Sequence, residues 1–70
     1  MPIIGMKEVV RGIQQGRVSQ VIVAKNCPAF IIEKVKHAKS DIAIETFAGD
    51  QNELGTRFGK PYFTAIVGLP

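Results

Sequence analysis

Seventy residues carry nine Lys or Arg against six Asp or Glu, with 46% hydrophobic and 21% charged residues, the balance of one small folded domain and not of a disordered or low-complexity chain. A single cysteine, Cys27, excludes an internal disulfide, the usual staple where a chain this short buries only about 60% of its unfolded surface. No basic-then-apolar leader opens the chain, and apolar runs such as Val21–Ala24 are too short to span a bilayer, so it reads as cytosolic with no membrane partner.

The first predicted element starts at Gly5. Met6, Val9, Val10 and Ile13 recur at helical spacing while Lys7, Glu8, Arg11 and Gln14 fall on the other side, and Gly16 stands where such a helix stops. Gly12 costs its interior about 0.5–1 kcal/mol relative to Ala, so packing must hold it. Val18 to Ala24 is a continuous apolar run that suits a strand covered on both faces. Lys25-Asn26-Cys27-Pro28 stops it, and Pro28 is placed as the first residue of a second helix through Lys39. In that helix Ile31, Ile32, Val35 and Ala38 form the apolar stripe, with Glu33, Lys34, Lys36 and Lys39 facing away. Lys34, Lys36 and Lys39 read as a solvated face.

Asp41 to Phe47 is a second strand, alternating Ile42, Ile44 and Thr46 with Ala43, Glu45 and Phe47. Asp50 and Glu53 fit a capping box for a short third helix in which Leu54 and Phe58 form one i, i+4 pair. Gly59 and Pro61 close it, and Tyr62 to Val67 gives the last predicted strand. Helix and strand alternate throughout, which predicts a sheet with helices on both sides. The third helix and its loops are barely the dozen residues that a parallel crossover requires, so the last strand is expected antiparallel. The fold class is α/β, a three-layer αβα sandwich with a small mixed sheet.

Four segments in this order resemble one family: Gly5-Met6-Lys7-Glu8 at the first helix start, Asn26-Cys27-Pro28 after the first strand, Asn52-Glu53-Leu54-Gly55-Thr56, and Gly59-Lys60-Pro61. The family is the kink-turn-binding superfamily of ribosomal proteins of the L30e and L7Ae type, and the L30e branch fits better. The resemblance runs from about Ile3 to Val67. It implies one RNA-binding domain over residues 1–70 that grips a sharply bent RNA helix and internal loop with loops gathered at one pole. It places Gly5, Met6, Lys7 and Glu8 against the bend, Arg11 on the RNA one turn later, and Asn26 as a polar loop contact. Lys60, Pro61, Tyr62 and Phe63 match the loop that packs on an extruded or stacked base. Lys7 stands where kink-turn specialists carry Asn; the L30e branch accepts Lys there. The family's first helix, expected before Gly5, and its extension beyond the last strand have no counterpart.

The residues agree with this without the family. A helix start offers unpaired N–H groups and partial positive charge, which suit a phosphate. Lys7 opposes that dipole, so it reads either as a tolerated surface lysine or as a partner of a nearby anion. If the first helix runs antiparallel to the first strand, Lys7, Arg11, Lys25 and Asn26 converge, while Arg17 sits at the far end. Tyr62 and Phe63 beside Lys60 offer aromatic surface next to positive charge, as RNA with splayed bases requires. Strand alternation would send only one of the two into the core.

Catalytic readings fail. Cys27, at a helix start, needs a base, and His37, ten residues along the helix, would lie about 15 Å away at the helical rise. One His and one Cys make no metal-ligand set. Gly12 to Gly16 lacks both the strand before it and the lysine of a phosphate loop. No cofactor is implied. The expectation is a non-enzymatic large-subunit ribosomal protein acting in translation, with RNA and neighbouring ribonucleoprotein subunits as partners. The alternatives are a component of a non-ribosomal ribonucleoprotein, or an interaction module that dimerises through an under-covered sheet face.

Overall fold

The computed structural model describes residues 2–60 and 63–70. Seven elements follow in the chain: β1 (Ile3–Ile4), α1 (Met6–Gln14), β2 (Gln20–Val23), α2 (Ala29–Ala38), β3 (Ala43–Thr46), α3 (Gln51–Arg57) and β4 (Ile66–Leu69). The strands form one sheet in the order β1-β4-β2-β3. β2 and β3 are parallel, joined through α2, whereas β4 lies antiparallel to both β2 and β1. The short α3 connection therefore does what its length dictates, returning the chain antiparallel.

Three differences from the sequence reading have physical causes. β1 was not read at all, because two residues show no period; only pairing with Val67 and Gly68 makes them a strand. The last strand is Ile66–Leu69 and not Tyr62–Val67, since Phe63 and Thr64 belong to the incoming loop. Pro28 sits one position outside α2 as its cap, with ψ 143 still extended.

Alternation along β2 builds the layers. Val21 and Val23 enter a cluster with Val9, Ile13, Ile31, Val35, Ile42 and Ile66, under α1 and α2. Ala24 joins Leu54 and Val67 in a second cluster under α3, with Ile4, Ile22, Phe47, Phe58 and Leu69 packed around it. Helices thus cover both faces of a mixed sheet, as the alternation of elements predicts. Coverage is uneven, because Ala43 and Glu45 stay exposed on the α3 side while Ile42 and Ile44 pack beneath the other helices. Glu45 there accepts a hydrogen bond from Gln20 Nε2 across the strands, at 2.9 Å.

Gly12 explains how α1 lies so close. A Cβ on Gly12 would sit 2.7 Å from Val18 Cγ2 and 3.1 Å from Ile3 Cδ1. Its weak helix propensity is thus offset by close approach. Gly12→Ala is expected to destabilise the fold by about 1–3 kcal/mol despite alanine's better propensity. A urea midpoint unchanged or raised by the substitution would show that Val18 yields freely.

Candidate nucleic-acid interface

The end of the sheet where β2 finishes gathers three chain segments. Gly5 N–H donates to Ile66 O at 3.4 Å, and Ile66 is the register partner of Val23. The start of α1 and the end of β2 therefore share one pole, which is the convergence that the antiparallel packing of α1 on β2 requires. Ala24 N–H, donating to Ala65 O at 2.9 Å, and Lys25 N–H, donating to Gly49 O at 2.9 Å, tie the β2–α2 loop to the segments on either side.

Gly5 gives α1 its open end. Its φ of 98 and ψ of 144 lie where side chains rarely go, and no side chain caps the helix. The first intrahelical bond runs from Val9 N–H to Gly5 O at 2.9 Å. Met6, Lys7 and Glu8 thus present backbone N–H groups that the helix leaves without intrahelical acceptors. Lys7, Glu8 and Arg11 are all exposed on the same helix. Arg11 lies 3.7 Å from Glu8, an exposed i, i+3 pair of little energetic weight that keeps the guanidinium available.

Asn26 lies exposed in the β2–α2 loop, where it is tied to the start of α3. Its side-chain Oδ1 accepts the backbone N–H of Gln51 at 3.0 Å, and its own carbonyl accepts Gln51 Nε2 at 3.3 Å. Gln51 O in turn accepts Thr64 N–H at 3.0 Å. Gln51 is therefore the hub that joins the Asn26 loop, the start of α3 and the segment entering β4. Sequence reading passed over Gln51, which stood only as the residue after the Asp50 cap; a bond spanning 25 residues leaves no local signature. Asp50 itself caps as expected, accepting Glu53 N–H at 3.0 Å.

Asn26→Ala is expected to cost about 1 kcal/mol, the usual size of one hydrogen bond, and hence roughly 4–8 °C of Tm in a domain this small. Asn26→Asp should keep that stability, since a carboxylate still accepts the same N–H at a helix start. Equal melting of wild type and Asn26→Ala would show that the clamp is dispensable.

The remaining residues divide. Phe63 is 71% exposed, so a large aromatic faces solvent beside Thr64. Pro61 and Tyr62 lie outside the described residues. Because Phe63 precedes the strand, the expected alternation between Tyr62 and Phe63 does not govern it. Lys60 stands with Pro2, Ile4 and Phe58 beside α3, not in the groove between α1 and α2 that holds Lys7 and Arg11. The implied contact residues thus fall on two sides of the pole. Cys27 is part-buried against the α1–α2 core, with Sγ 3.6 Å from Pro28 O. Burial pushes its thiol above the ordinary value, the reverse of what activation at a helix start requires. Among the described residues no three His, Cys, Asp or Glu side chains cluster as a metal site, and no helix is long and apolar enough to cross a membrane.

A mixed four-stranded sheet between helices, with loops gathered at one pole around an open helix start, defines a class of protein, and residues 3–69 match the model of the Ribosomal protein L7Ae/L30e/S12e/Gadd45 family. The chain belongs to that family. Within it the chain is similar to large ribosomal subunit protein eL30 of Archaeoglobus fulgidus, 35% identical over 66 residues, covering 94% of this chain and 74% of the relative. It is likewise similar to eL30 of Methanosarcina mazei, 33% identical over 67 residues, covering 96% of this chain and 63% of that relative. In architecture it resembles a protein of unknown function from Bacillus halodurans, with a TM-score of 0.85 at 23% identity, covering 97% of this chain and 69% of the other. A 15.5 kD RNA-binding protein of Giardia lamblia superposes with a TM-score of 0.75, also at 23% identity, covering 97% of this chain and 58% of that one.

Proposed function

We propose that this chain is an RNA-binding ribosomal protein of the large subunit, and that it recognises a kink-turn or a similarly bent internal loop. The observation that carries the reading is the start of α1, where Gly5 leaves the first-turn N–H groups uncapped beside Lys7 and Arg11. Anions fit such an end through both dipole and hydrogen bonds. Exposed Phe63 at the same pole supplies a stacking surface of the kind that splayed RNA bases use. The eL30 relatives support a ribosomal setting. In this reading the role is binding and not catalysis, because the pole assembles backbone donors, cations and an aromatic ring. Its partners in this reading are ribosomal RNA and neighbouring subunits.

Gel shifts with a synthetic RNA of two stems joined by an asymmetric internal loop test it directly. Binding is expected to be tight, to weaken with salt, and to exceed binding to a plain duplex. Equal affinity for both RNAs would reject recognition of the bend.

A second reading, a protein-interaction surface, is favoured by one feature. A groove of about 480 Å³ on the α3 side is walled by Ile22, Phe47, Phe58 and Leu69, with Glu45 and Arg57 beside them. Apolar surface of this kind recruits protein. Sedimentation separates the readings: a stable homodimer indifferent to RNA would favour the second.

A further inference from the structure

The outer surfaces of α1 and α2 meet in a trough that the sequence does not announce. Its half nearest the start of α1 encloses about 380 Å³ and is lined by Met6, Lys7, Val10, Arg11, Gln14 and Lys34. Residues 7, 10, 11 and 14 form one stripe of α1, and Lys34 faces them from the middle of α2. Lys36 and Lys39 of the same helix are not among its walls. Lys34 was grouped with those two as a solvated face; the fold separates it from them.

The charge of this half-trough is one-sided. It holds three cations, and none of its six lining residues is acidic. Among the described residues the one ion pair is Arg11 with Glu8, which flanks the trough. Glu33 lines the adjoining half with Phe30 and His37, a half that Lys34 borders as well. Lys7 and Lys34 therefore have no protein carboxylate as a partner among the described residues. The trough opens at the same Met6–Lys7 turn whose backbone N–H groups point outward.

We propose that this half-trough seats the sugar–phosphate backbone of the RNA stem next to the bend, with Lys34 supplying a phosphate contact from α2 opposite Lys7 and Arg11. The inference rests on the RNA reading above and extends the interface from one helix to two. Phosphates are the ligand that three unpaired or weakly paired cations around an open channel select, and each such cation adds about one unit to the salt dependence of binding. Met6 and Val10 provide an apolar floor against which ribose can lie.

The test measures affinity for the internal-loop RNA and for a plain duplex across salt concentrations, using wild type, Lys34→Ala, Lys34→Arg, Lys36→Ala and Lys39→Ala. Lys34 is exposed, so each variant should keep its circular dichroism. Lys34→Ala is expected to weaken internal-loop binding about three- to tenfold at low salt and to lower the slope of log affinity against log salt by about one. Lys34→Arg should retain the wild-type slope, and the two control variants should stay near it. If wild type prefers the bent RNA but Lys34→Ala matches it in affinity and slope, the trough is not an RNA seat and the inference fails alone. An equal loss for all three alanine variants would mean diffuse charge and would also overturn it. If wild type shows no preference for the bent RNA, the functional reading fails and takes the inference with it.

Discussion

Leu54→Ala is expected to remove about 3–5 kcal/mol of stability, the range found where a buried leucine leaves a cavity that its surroundings cannot close. Leu54 is fully buried and forms the second core with Ala24 and Val67. No other residue of α3 can replace it: Gly55 is buried but has no side chain, and Phe58, just past the helix, packs only at the margin. A seven-residue helix has almost no stability of its own, so α3 exists because Leu54 is seated and Asp50 caps it. Small domains have about 5 kcal/mol in total near the low end of the usual range, so the variant should keep only about 0–2 kcal/mol at 25 °C. Urea titration followed by circular dichroism measures it. Saturating RNA should restore part of the loss, about 2.7 kcal/mol at one hundred times the Kd. A loss below about 1 kcal/mol would show that the α3 layer is not a core at all.

That consequence reaches the interface, because α3 carries Gln51. When α3 loosens, the bonds from Gln51 to Asn26 and from Thr64 to Gln51 go with it. Two of the segments that shape the pole would then lose their common anchor. Stability and binding are therefore coupled through α3, while the start of α1 has its own tie to β4 from Gly5 to Ile66.

What was legible in the chain follows from the range of the interactions. Periodicity is local, so α1 with Val9 and Ile13, α2 with Ile31 and Val35, and the Asp50 cap were all readable from a few neighbouring residues. The antiparallel return of β4 was readable too, because it depends on a loop length. β1 was not, since two isoleucines become a strand only by pairing with residues more than sixty positions away. The same limit hid Gln51, and it hid the split between Lys34 and its neighbours Lys36 and Lys39. Which lysine of a polar helix face lines a trough depends on where the adjacent helix lies, and α1 and α2 are joined by a strand and two loops. Val10 shows the same effect from the apolar side. Its helical spacing predicts core, yet it is only half-buried and lines the trough.

The double variant Lys7→Glu/Arg11→Glu is expected to weaken binding to the bent RNA by about two orders of magnitude at low salt, and to lower the salt slope by about two. Its effect on the free protein should have a different character. Lys7 sits in the first turn of α1, where a cation opposes the helix dipole, so a glutamate there is favourable to the isolated fold. Arg11→Glu gives up the exposed 3.7 Å contact with Glu8 and sets like charges three and four residues apart on α1, each costing about 0.2–0.5 kcal/mol. Melting temperature should therefore stay level or rise slightly for Lys7→Glu alone while RNA affinity falls. That opposition separates a lysine kept for an anion from one merely tolerated on the surface. A tolerated lysine would give a neutral binding result, whereas parallel loss of stability and affinity would mean that Lys7 holds the fold. Thermal denaturation of the free chain beside gel shifts on the same preparations reads both quantities. The pole is drawn correctly only if the two move apart.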